Sequence, residues 1–376
     1  PFISAMLPPL MAVKLRSALS AGALALSVGA TESVAAAQEC SNPRTSTCIN
    51  ADTLWPNAGP QRFAAVGGTE TVTPRQVAFG VVATYLSRPI LLNAPPPGPG
   101  GTDQYAIDNQ VNANFLFAYG VTERLQVDLA APITLVQDGA GTSPLTGGRA
   151  LRNTAVRDMR FGLAYAIIPH ERALLEAQQF SLLARMTFSA PIGDNQSFAG
   201  ERTVVYVPSV SADYRIWRFF AGADVGARVR PATEFSGAKI GTQLTAAAGA
   251  GFEILPQEKL SVLLEGHLYP SLAKQTSGSN AMPSEWLVGL RSAPFFAGDL
   301  SFYGGGGGPM PFSESPITQP RFRFVLGITY APLGRDTDKD GIPDRSDPCP
   351  NEPGLRGYEK PGCAPLPGES TKGVGP

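Results

Sequence analysis

Residues 77–332 alternate apolar positions with polar or small ones over stretches of about ten residues, each ended by turn residues. In "KLSVLLEGHL", Val262 and Leu264 fall on one face of an extended strand, while Glu265 and His267 fall on the other. This period of two is typical of strands in membrane barrels. Twelve such segments are predicted, beginning near residues 77, 106, 124, 155, 179, 203, 217, 240, 259, 283, 299 and 320.

The connectors between these segments alternate in length. The longer ones fall at 91–104, 137–154, 192–202, 231–239, 271–282 and 309–319, and the shorter ones at 120–123, 215–217, 255–258 and 294–298. An exception is "PHERALLEAQ", residues 169–178, which is too long for a tight turn and is interpreted as a helical lid. Outer-membrane barrels have short periplasmic turns, longer outer loops and an even number of strands. The pattern therefore predicts that the first and the last strand of the barrel both have their chain ends on the periplasmic side.

A soluble β-sandwich would also alternate apolar and polar residues. Three features favour a barrel. The polar face of each strand is rich in small residues and has few lysines, the strands are long for a sandwich, and aromatic residues recur near segment ends. These aromatic residues are Tyr119, Trp217, Tyr269, Trp286 and Tyr330. The predicted fold is all-β, a transmembrane antiparallel barrel of about 12 strands over residues 77–332. Its alternative is a secreted soluble β-protein.

Composition adds two limits. The 41 glycines, 35 prolines and 16% of charged residues favour turns and β-segments over long helices. The 30 basic residues nearly balance the 31 acidic ones, so bulk charge does not favour nucleic acid as a partner. Two histidines, His170 and His267, are the available candidates for acid–base chemistry, and neither lies in a catalytic motif. We therefore expect a protein that is not an enzyme.

The N-terminus has the outline of a secretory signal peptide. Lys14 and Arg16 precede an apolar run at residues 19–28, and small residues follow up to Ala37, after which cleavage is predicted. Residues 1–37 are therefore interpreted as upstream residues plus signal peptide, and residues 38–76 as a periplasmic N-terminal segment.

The cysteines form two local pairs. Cys40 is close in sequence to Cys48, and Cys349 to Cys363, so both pairs are predicted disulfides in an oxidising compartment.

The inward face of the predicted barrel carries charges of both signs. They are Asp128, Asp158, Arg160, Arg185, Asp213, Arg218, Asp224, Arg228, Arg230, Glu253, Glu265, Glu285, Arg291, Arg321 and Arg323. One interpretation is a paired network that fills the lumen, since buried charges need partners. The other is an anion-selective constriction built from Arg228, Arg230, Arg321 and Arg323.

After the barrel, "DTDKDGIPDRSDPCP" concentrates carboxylates. Asp336, Asp338 and Asp340, followed by Gly341, match the opening of a calcium loop, in which alternate carboxylates converge on hard oxygen-loving Ca²⁺. An EF-hand would need a glutamate at the twelfth position, where Asp347 stands, and prolines forbid a following helix.

The acidic motif resembles a thrombospondin type 3 repeat, predicted here over residues 333–364. The resemblance implies calcium ligands at Asp336, Asp338, Asp340, Asp344 and Asp347, with the carbonyl of Ile342.

A wider resemblance involves four segments of the predicted barrel, "FAYGVTERLQVDLAAPI", "SAPIGDNQSFAGE", "SEWLVGLR" and "YGGGGGPMPF". They are followed by the acidic motif and by "CPNEPGLRGYEKPGCAP". In this order of segments the chain resembles barrel-bearing members of the OmpA-type outer-membrane family of Gram-negative bacteria. That family implies a periplasmic peptidoglycan-binding domain. The Pro/Gly-rich residues 365–376 are instead predicted to be a disordered tail, so a separate peptidoglycan-binding protein is a candidate partner.

The sequence thus predicts a porin-like or structural envelope protein of the outer membrane, in contact with its lipid and carrying a periplasmic Ca²⁺-binding stalk. The alternative function is a secreted soluble calcium-binding β-protein for adhesion.

Overall fold

The computed structural model describes residues 46–92, 104–142, 150–169, 179–235, 238–255, 259–274, 282–295, 299–311, 317–332, 338, 349, 351–353 and 363. Its regular structure is almost entirely β, with a 3-10 turn at Asn195–Ser197. Within these ranges no helix has the length and apolar character needed to cross a membrane.

Twelve antiparallel strands form a closed ring. The first strand pairs with the second, where Val77 lies opposite Tyr119, and with the last, where Phe79 lies opposite Tyr330. The ring strands are β1 (Val77–Leu92), β2 (Gln104–Gly120), β3 (Leu125–Asp138), β5 (Arg160–Ile168), β6 (Gln179–Ser189), β7 (Val205–Ile216), β8 (Phe219–Arg228), β11 (Gln243–Leu255), β12 (Leu260–Leu268), β13 (Ser284–Phe295), β14 (Leu300–Pro309) and β15 (Phe322–Tyr330).

Three shorter strands lie outside the ring. The two-residue strand β4 (Ala155–Val156) pairs with β3, and β9 (Thr233–Phe235) forms a hairpin with β10 (Ala238–Ile240). The hairpin lies in the stretch predicted as the loop 231–239 and extends one residue beyond it, to Ile240. The lid predicted at 169–178 lies outside the described residues, except for position 169.

Alternation along each ring strand gives the barrel an apolar outside and a polar inside. In β15, Phe324, Leu326 and Ile328 are exposed, whereas the intervening Arg323 and Val325 are fully buried. Because every ring strand is paired on both sides, no sheet edge remains and the sandwich alternative does not apply. The predicted fold class is therefore confirmed: this is the architecture of transmembrane barrels.

The two ends of the barrel differ. At one end, named here the short-turn end, β2 and β3 are joined by residues 121–124 and β7 and β8 by residues 217–218. At the other, the long-loop end, the chain forms the connectors after β1, β3, β6, β8, β12 and β14. The first residue of β1, Val77, and the last residue of β15, Tyr330, both lie at the short-turn end. This arrangement agrees with the predicted alternation of connectors.

Residues 46–74, which we name the luminal segment, run through the inside of the barrel. The backbone N–H of Ser46 donates to Glu234 O at the long-loop end (3.1 Å). The hydroxyl of Thr73 donates to Pro332 O at the short-turn end (3.0 Å). The sequence predicted a periplasmic location for residues 38–76, whereas residues 46–74 lie within the lumen. The physical reason is that a polar barrel interior offers partners for a segment that has no regular structure of its own.

Candidate functional site

The occupied lumen is the candidate functional site, and its strongest anchor is Asp52. This carboxylate is fully buried and accepts from Arg323 Nη1 at 2.7 Å and from Arg157 Nη1 at 3.3 Å. Thr84 Oγ1 and Asn112 Nδ2 donate to its second oxygen, at 3.1 and 3.0 Å. A single side chain of the luminal segment thus joins β1, β2, β15 and the connector before β5.

Glu285 on β13 extends this anchor. It accepts from Arg323 Nε at 2.7 Å and from Arg323 Nη2 at 2.9 Å, a bidentate contact, and from Thr53 Oγ1 at 3.3 Å. His267 Nε2 lies 3.4 Å from the same carboxylate, and its ring centroid is 5.2 Å from that of Tyr269. His267 is therefore part of the buried charged network of the wall. His170 lies outside the described residues.

Trp55 brings an aromatic surface into the lumen. The guanidinium of Arg228 lies 4.3 Å from the ring centroid of Trp55 and 4.4 Å from that of Tyr269, so it is held between two rings. Arg160 contacts the same tryptophan at 5.2 Å. Arg228 Nη2 also donates to Thr53 O at 2.7 Å, which ties the wall to the backbone of the luminal segment.

Farther along, the luminal segment is held by its backbone. The N–H groups of Ala64 and Ala65 donate to the two carboxylate oxygens of Glu265, at 3.0 and 2.7 Å. The hydroxyl of Thr69 donates to Asp213 Oδ2 at 2.7 Å. Here the barrel wall supplies the charge, and the segment supplies mainly neutral donors.

Apolar clusters close the lumen toward both ends. Near the long-loop end, Ile49 and Ala51 join a buried cluster with Ile90, Phe198 and Phe235. Near the short-turn end, a second cluster contains Ala58, Val72, Ala78, Leu116, Ala118, Ala130 and Ala331. Each residue of the segment, 46–74, is thus buried or half-buried inside the ring.

A cavity of about 70 Å³ remains between the luminal segment and the wall formed by β3, β5, β6, β7, β8 and β11. Its charged lining residues are Asp128, Arg160, Arg185, Asp224 and Arg228, and its aromatic ones include Trp55 and Tyr269. The guanidinium nitrogens of Arg185 are buried and make no hydrogen bond.

The four arginines of the predicted constriction do not form a free positive ring: three lie inside the barrel with partners of their own, and Arg321 lies outside. Arg323 is committed to Asp52 and Glu285, and Arg228 is held between the rings of Trp55 and Tyr269. Arg230 pairs with Glu201 and donates to Gln243. Arg321 is exposed and lines an outer depression with Ser87, Arg88, Asp108, Asn109 and Asp138. Arg321 precedes β15 rather than belonging to it, so the alternation that turns Arg323 inward does not extend to it.

Most of the other predicted inward charges do lie inside the barrel, commonly in pairs. Arg215 contacts Glu253 directly, and Arg185 Nε lies 3.6 Å from Asp128 Oδ2. Arg291 donates to Gln61 O of the luminal segment at 3.2 Å. The buried members are Arg160, Arg185, Asp158, Asp213, Glu253, Glu265 and Glu285, whereas Asp128 and Asp224 are half-buried. Arg218 is the exception, since it lies in the short turn against Trp217.

Asp158 shapes the long-loop end. Its carboxylate accepts from the backbone N–H of Gly193 at 2.8 Å and of Glu201 at 2.7 Å. Burial raises the pKa of Asp158 to about 7, while the N–H of Glu201 acts in the opposite direction and the charge of Glu201 adds to the rise. Asp158 therefore ties the connector before β5, to which it belongs, to the connector between β6 and β7, through contacts that depend on its protonation.

The predicted calcium motif lies mostly outside the described residues. Of its ligands, Asp336, Asp340, Ile342, Asp344 and Asp347 are not described, and Asp338 is. Among the described residues, no group of three or more His, Cys, Asp or Glu side chains could hold a metal ion. Cys349 and Cys363 form a disulfide, as predicted. Cys48 is disulfide-bonded, and its predicted partner Cys40 lies outside the described residues.

The class of protein defined by this fold is a transmembrane β-barrel with an occupied lumen. No protein-family model and no curated protein matches the chain. Among solved structures, an outer membrane channel from Pseudomonas putida F1 is similar, with 14% identity over 70% of this chain and 98% of that chain, at a TM-score of 0.48. The NanC porin has 10% identity over 68% of this chain and 100% of its own, at 0.43. The toluene transporter TodX of P. putida has 9% identity over 76% and 100%, at 0.39.

Proposed function

We propose that this protein is an outer-membrane pore for small polar solutes that its own luminal segment keeps closed. Passive passage would occur when the segment leaves its contacts with the wall. The observation that carries the proposal is the course of residues 46–74, which run inside the ring from one end to the other. The signal-peptide pattern and the apolar outer belt support insertion into the outer membrane and contact with its lipid.

The width of the barrel supports a removable filler. Eight strands give an interior that side chains alone can fill, and the diameter grows roughly with strand number. A ring of twelve strands leaves more room, which a separate stretch of chain occupies here. Because this filler is attached to the wall by polar contacts rather than built into it, its displacement would leave a lumen lined by polar groups.

The chemistry of the wall points the same way. Buried ion pairs such as Arg323 with Glu285 contribute little stability compared with apolar packing of the same volume. Polar walls are suited to contact with water when the lumen opens.

Single-channel recording of the refolded mature chain in a planar bilayer tests this proposal. We would compare the parent, a variant lacking residues 46–72, and Asp52→Asn, which weakens the anchor and keeps the segment. Asp138→Asn is the matched control, because Asp138 is exposed on the outer depression. Heat-dependent gel mobility establishes that each barrel has folded.

The expected result is rare, small openings in the parent and control, longer openings in Asp52→Asn, and a steady large conductance in the deletion. If the folded parent and both lumen variants are all silent, the protein is a structural envelope barrel instead. If the parent conducts as much as the deletion, the segment does not close the pore.

We further propose that residues 336–347 form a periplasmic calcium stalk. Its support is the spacing of five carboxylates, a donor set suited to Ca²⁺, and the Cys349–Cys363 disulfide that closes the following loop. A separate peptidoglycan-binding protein would then be its partner. Calorimetric titration of the full chain with Ca²⁺ should give saturable heat that Asp338→Asn combined with Asp340→Asn removes, and Asp108→Asn retains. Equal heat in all three proteins would contradict the stalk.

A further inference from the structure

We propose that the cavity beside the luminal segment binds a small carboxylate monoanion, with Arg185 as its main ligand. Arg185 is about 5% exposed, and none of its guanidinium nitrogens makes a hydrogen bond. Leaving such a donor group buried without an acceptor costs free energy. A bound anion with two oxygens would supply acceptors for the planar guanidinium fork.

The charges around the cavity favour a single negative charge. Arg160, Arg185 and Arg228 face two carboxylates, Asp128 and Asp224, which leaves one positive charge in excess. The carboxylates have contacts of their own: Ser211 Oγ donates to Asp224 Oδ2 at 2.6 Å, and Asp128 Oδ2 lies 3.6 Å from Arg185 Nε. Arg185 is therefore only loosely compensated.

Size and shape narrow the ligand class further. The cavity volume of about 70 Å³ holds several waters or one molecule the size of acetate. Trp55 and Tyr269 border it and hold Arg228 between their rings, which gives one side of the cavity a flat apolar surface. A small planar carboxylate fits a site with a guanidinium at one side and aromatic rings at another. This site replaces the constriction predicted from Arg228, Arg230, Arg321 and Arg323.

Trp55 makes the proposal measurable. The chain has three tryptophans, and Trp217 and Trp286 are exposed on the outside of the barrel. Replacing those two by phenylalanine leaves Trp55 as a fluorescent reporter at the cavity. The refolded full chain in detergent would be titrated with sodium acetate, with sodium chloride used to hold the ionic strength constant.

We expect a saturable change in Trp55 fluorescence. Arg185→Gln should weaken acetate binding about tenfold or more, because a hydrogen bond to a charged group is lost. The matched control is Arg218→Gln, in the short turn outside the cavity, which should bind acetate as the parent does. Asp128→Asn should tighten binding several-fold, because it removes the nearby negative charge of the Arg185 pair.

A change that does not saturate, or equal affinity in the parent and a folded Arg185→Gln, would overturn the proposal. Should Arg185→Gln not fold, Asp128→Asn decides: tighter binding supports the site, and unchanged or weaker binding contradicts it. Binding is measured with the luminal segment in place and needs no conductance. A failure to bind acetate can therefore be distinguished from a failure of the proposed pore to conduct.

Discussion

The two halves of the luminal segment are held by opposite means. In the loop-end half, residues 46–58, the segment supplies the charge: Asp52 binds Arg323 and Arg157 of the surrounding barrel. In the turn-end half, residues 59–74, the barrel supplies charge through Glu265 and Asp213, and the segment supplies mainly backbone N–H groups and a hydroxyl. Its one cation in contact with the wall, Arg62, lies 4.0 Å from Asp213 and pairs more closely, at 2.7 Å, with Glu70 of the segment itself.

This difference decides where each half is vulnerable. A buried carboxylate with two guanidinium partners can be removed by one substitution in the segment, which leaves cations buried without compensation. Backbone donors cannot be removed by any ordinary substitution, so the turn-end half is vulnerable mainly through the wall. The segment therefore combines one strong, mutable anchor with several distributed, resistant ones.

The largest effect is expected at Asp52. Asp52→Asn should reduce the free energy of local opening of the loop-end half by about 3 to 5 kcal/mol, since Arg157 and Arg323 lose the charge that compensates them. Hydrogen exchange of the amides at residues 49–54 measures this opening. Asp138→Asn should leave that exchange unchanged. Unaltered protection in Asp52→Asn would show that the ion pairs do not hold this half.

Glu265→Gln tests the turn-end half from the wall. The amide retains one acceptor oxygen, so we expect a loss of about 1.5 to 3 kcal/mol, the range for hydrogen bonds to a charged group. Exchange at Ala64 and Ala65 should accelerate, while Glu123→Gln, at an exposed site in the β2–β3 turn, should have no effect. Equal acceleration at residues 49–54 would mean that the two halves open as one unit.

Gly67→Ala should produce a smaller change. An added Cβ would lie 2.6 Å from Ser211 Oγ and 2.7 Å from Asp224 Oδ2, which are the ends of side chains that can move aside. We expect a cost of about 1 kcal/mol, the low end for overpacking. Thermal or denaturant unfolding measures it, with Gly304→Ala as the control, because a Cβ there meets Leu326 Cδ2 at an ordinary 3.6 Å. A cost well above that would indicate a rigid turn-end half.

The long-loop end should also weaken as the pH rises. Because the pKa of Asp158 in the folded protein is about 7, above that of an unfolded aspartate, the folded state binds the proton more tightly. This contribution is complete below about pH 4 and is lost as the pH rises through about 7, with about 1 kcal/mol lost between pH 6 and pH 7. Exchange at Gly193 and Glu201 measures it, and Asp158→Asn should abolish the pH dependence.

The smallest effect is expected at Arg321. Since its side chain is exposed on the outer depression, Arg321→Gln should leave conductance and ion selectivity unchanged in the variant lacking residues 46–72. Arg228→Gln in the same background should shift the ion selectivity toward cations, because it removes a positive charge that is buried in the lumen. Equal changes in ion selectivity in the two variants would show that Arg321 lines the pore.

The barrel could be predicted from the sequence because its wall repeats a local signal. A period of two is readable in ten residues, as in β12, where Glu265 and His267 turn inward and Leu264 is exposed. The polarity of the lumen follows from the same alternation. The signal fails where a strand has not yet begun, as at Arg321, and where a short hairpin such as β9–β10 interrupts a loop.

The luminal segment could not be predicted in this way. It has no repeating pattern, because its backbone groups are satisfied by the wall rather than by neighbours along the chain. The composition of the segment does carry a signal. It combines charged residues with large aromatic ones, which is unusual for a solvated linker, at Asp52, Trp55, Arg62 and Phe63. The pairing of Asp52 with Arg323, 271 positions away, is a tertiary property.

The attachment of the luminal segment sets the direction in which it can leave. The segment continues directly into β1, which begins at Val77 on the short-turn end and is locked to β15 over nine residue pairs from Phe79 to Ser87. Withdrawal toward the long-loop end would always leave the residues next to this tether inside the ring. A clear passage therefore requires the chain to be drawn out on the side of the tether, so that a pulling force at the short-turn end would open the barrel and a pulling force at the long-loop end would not.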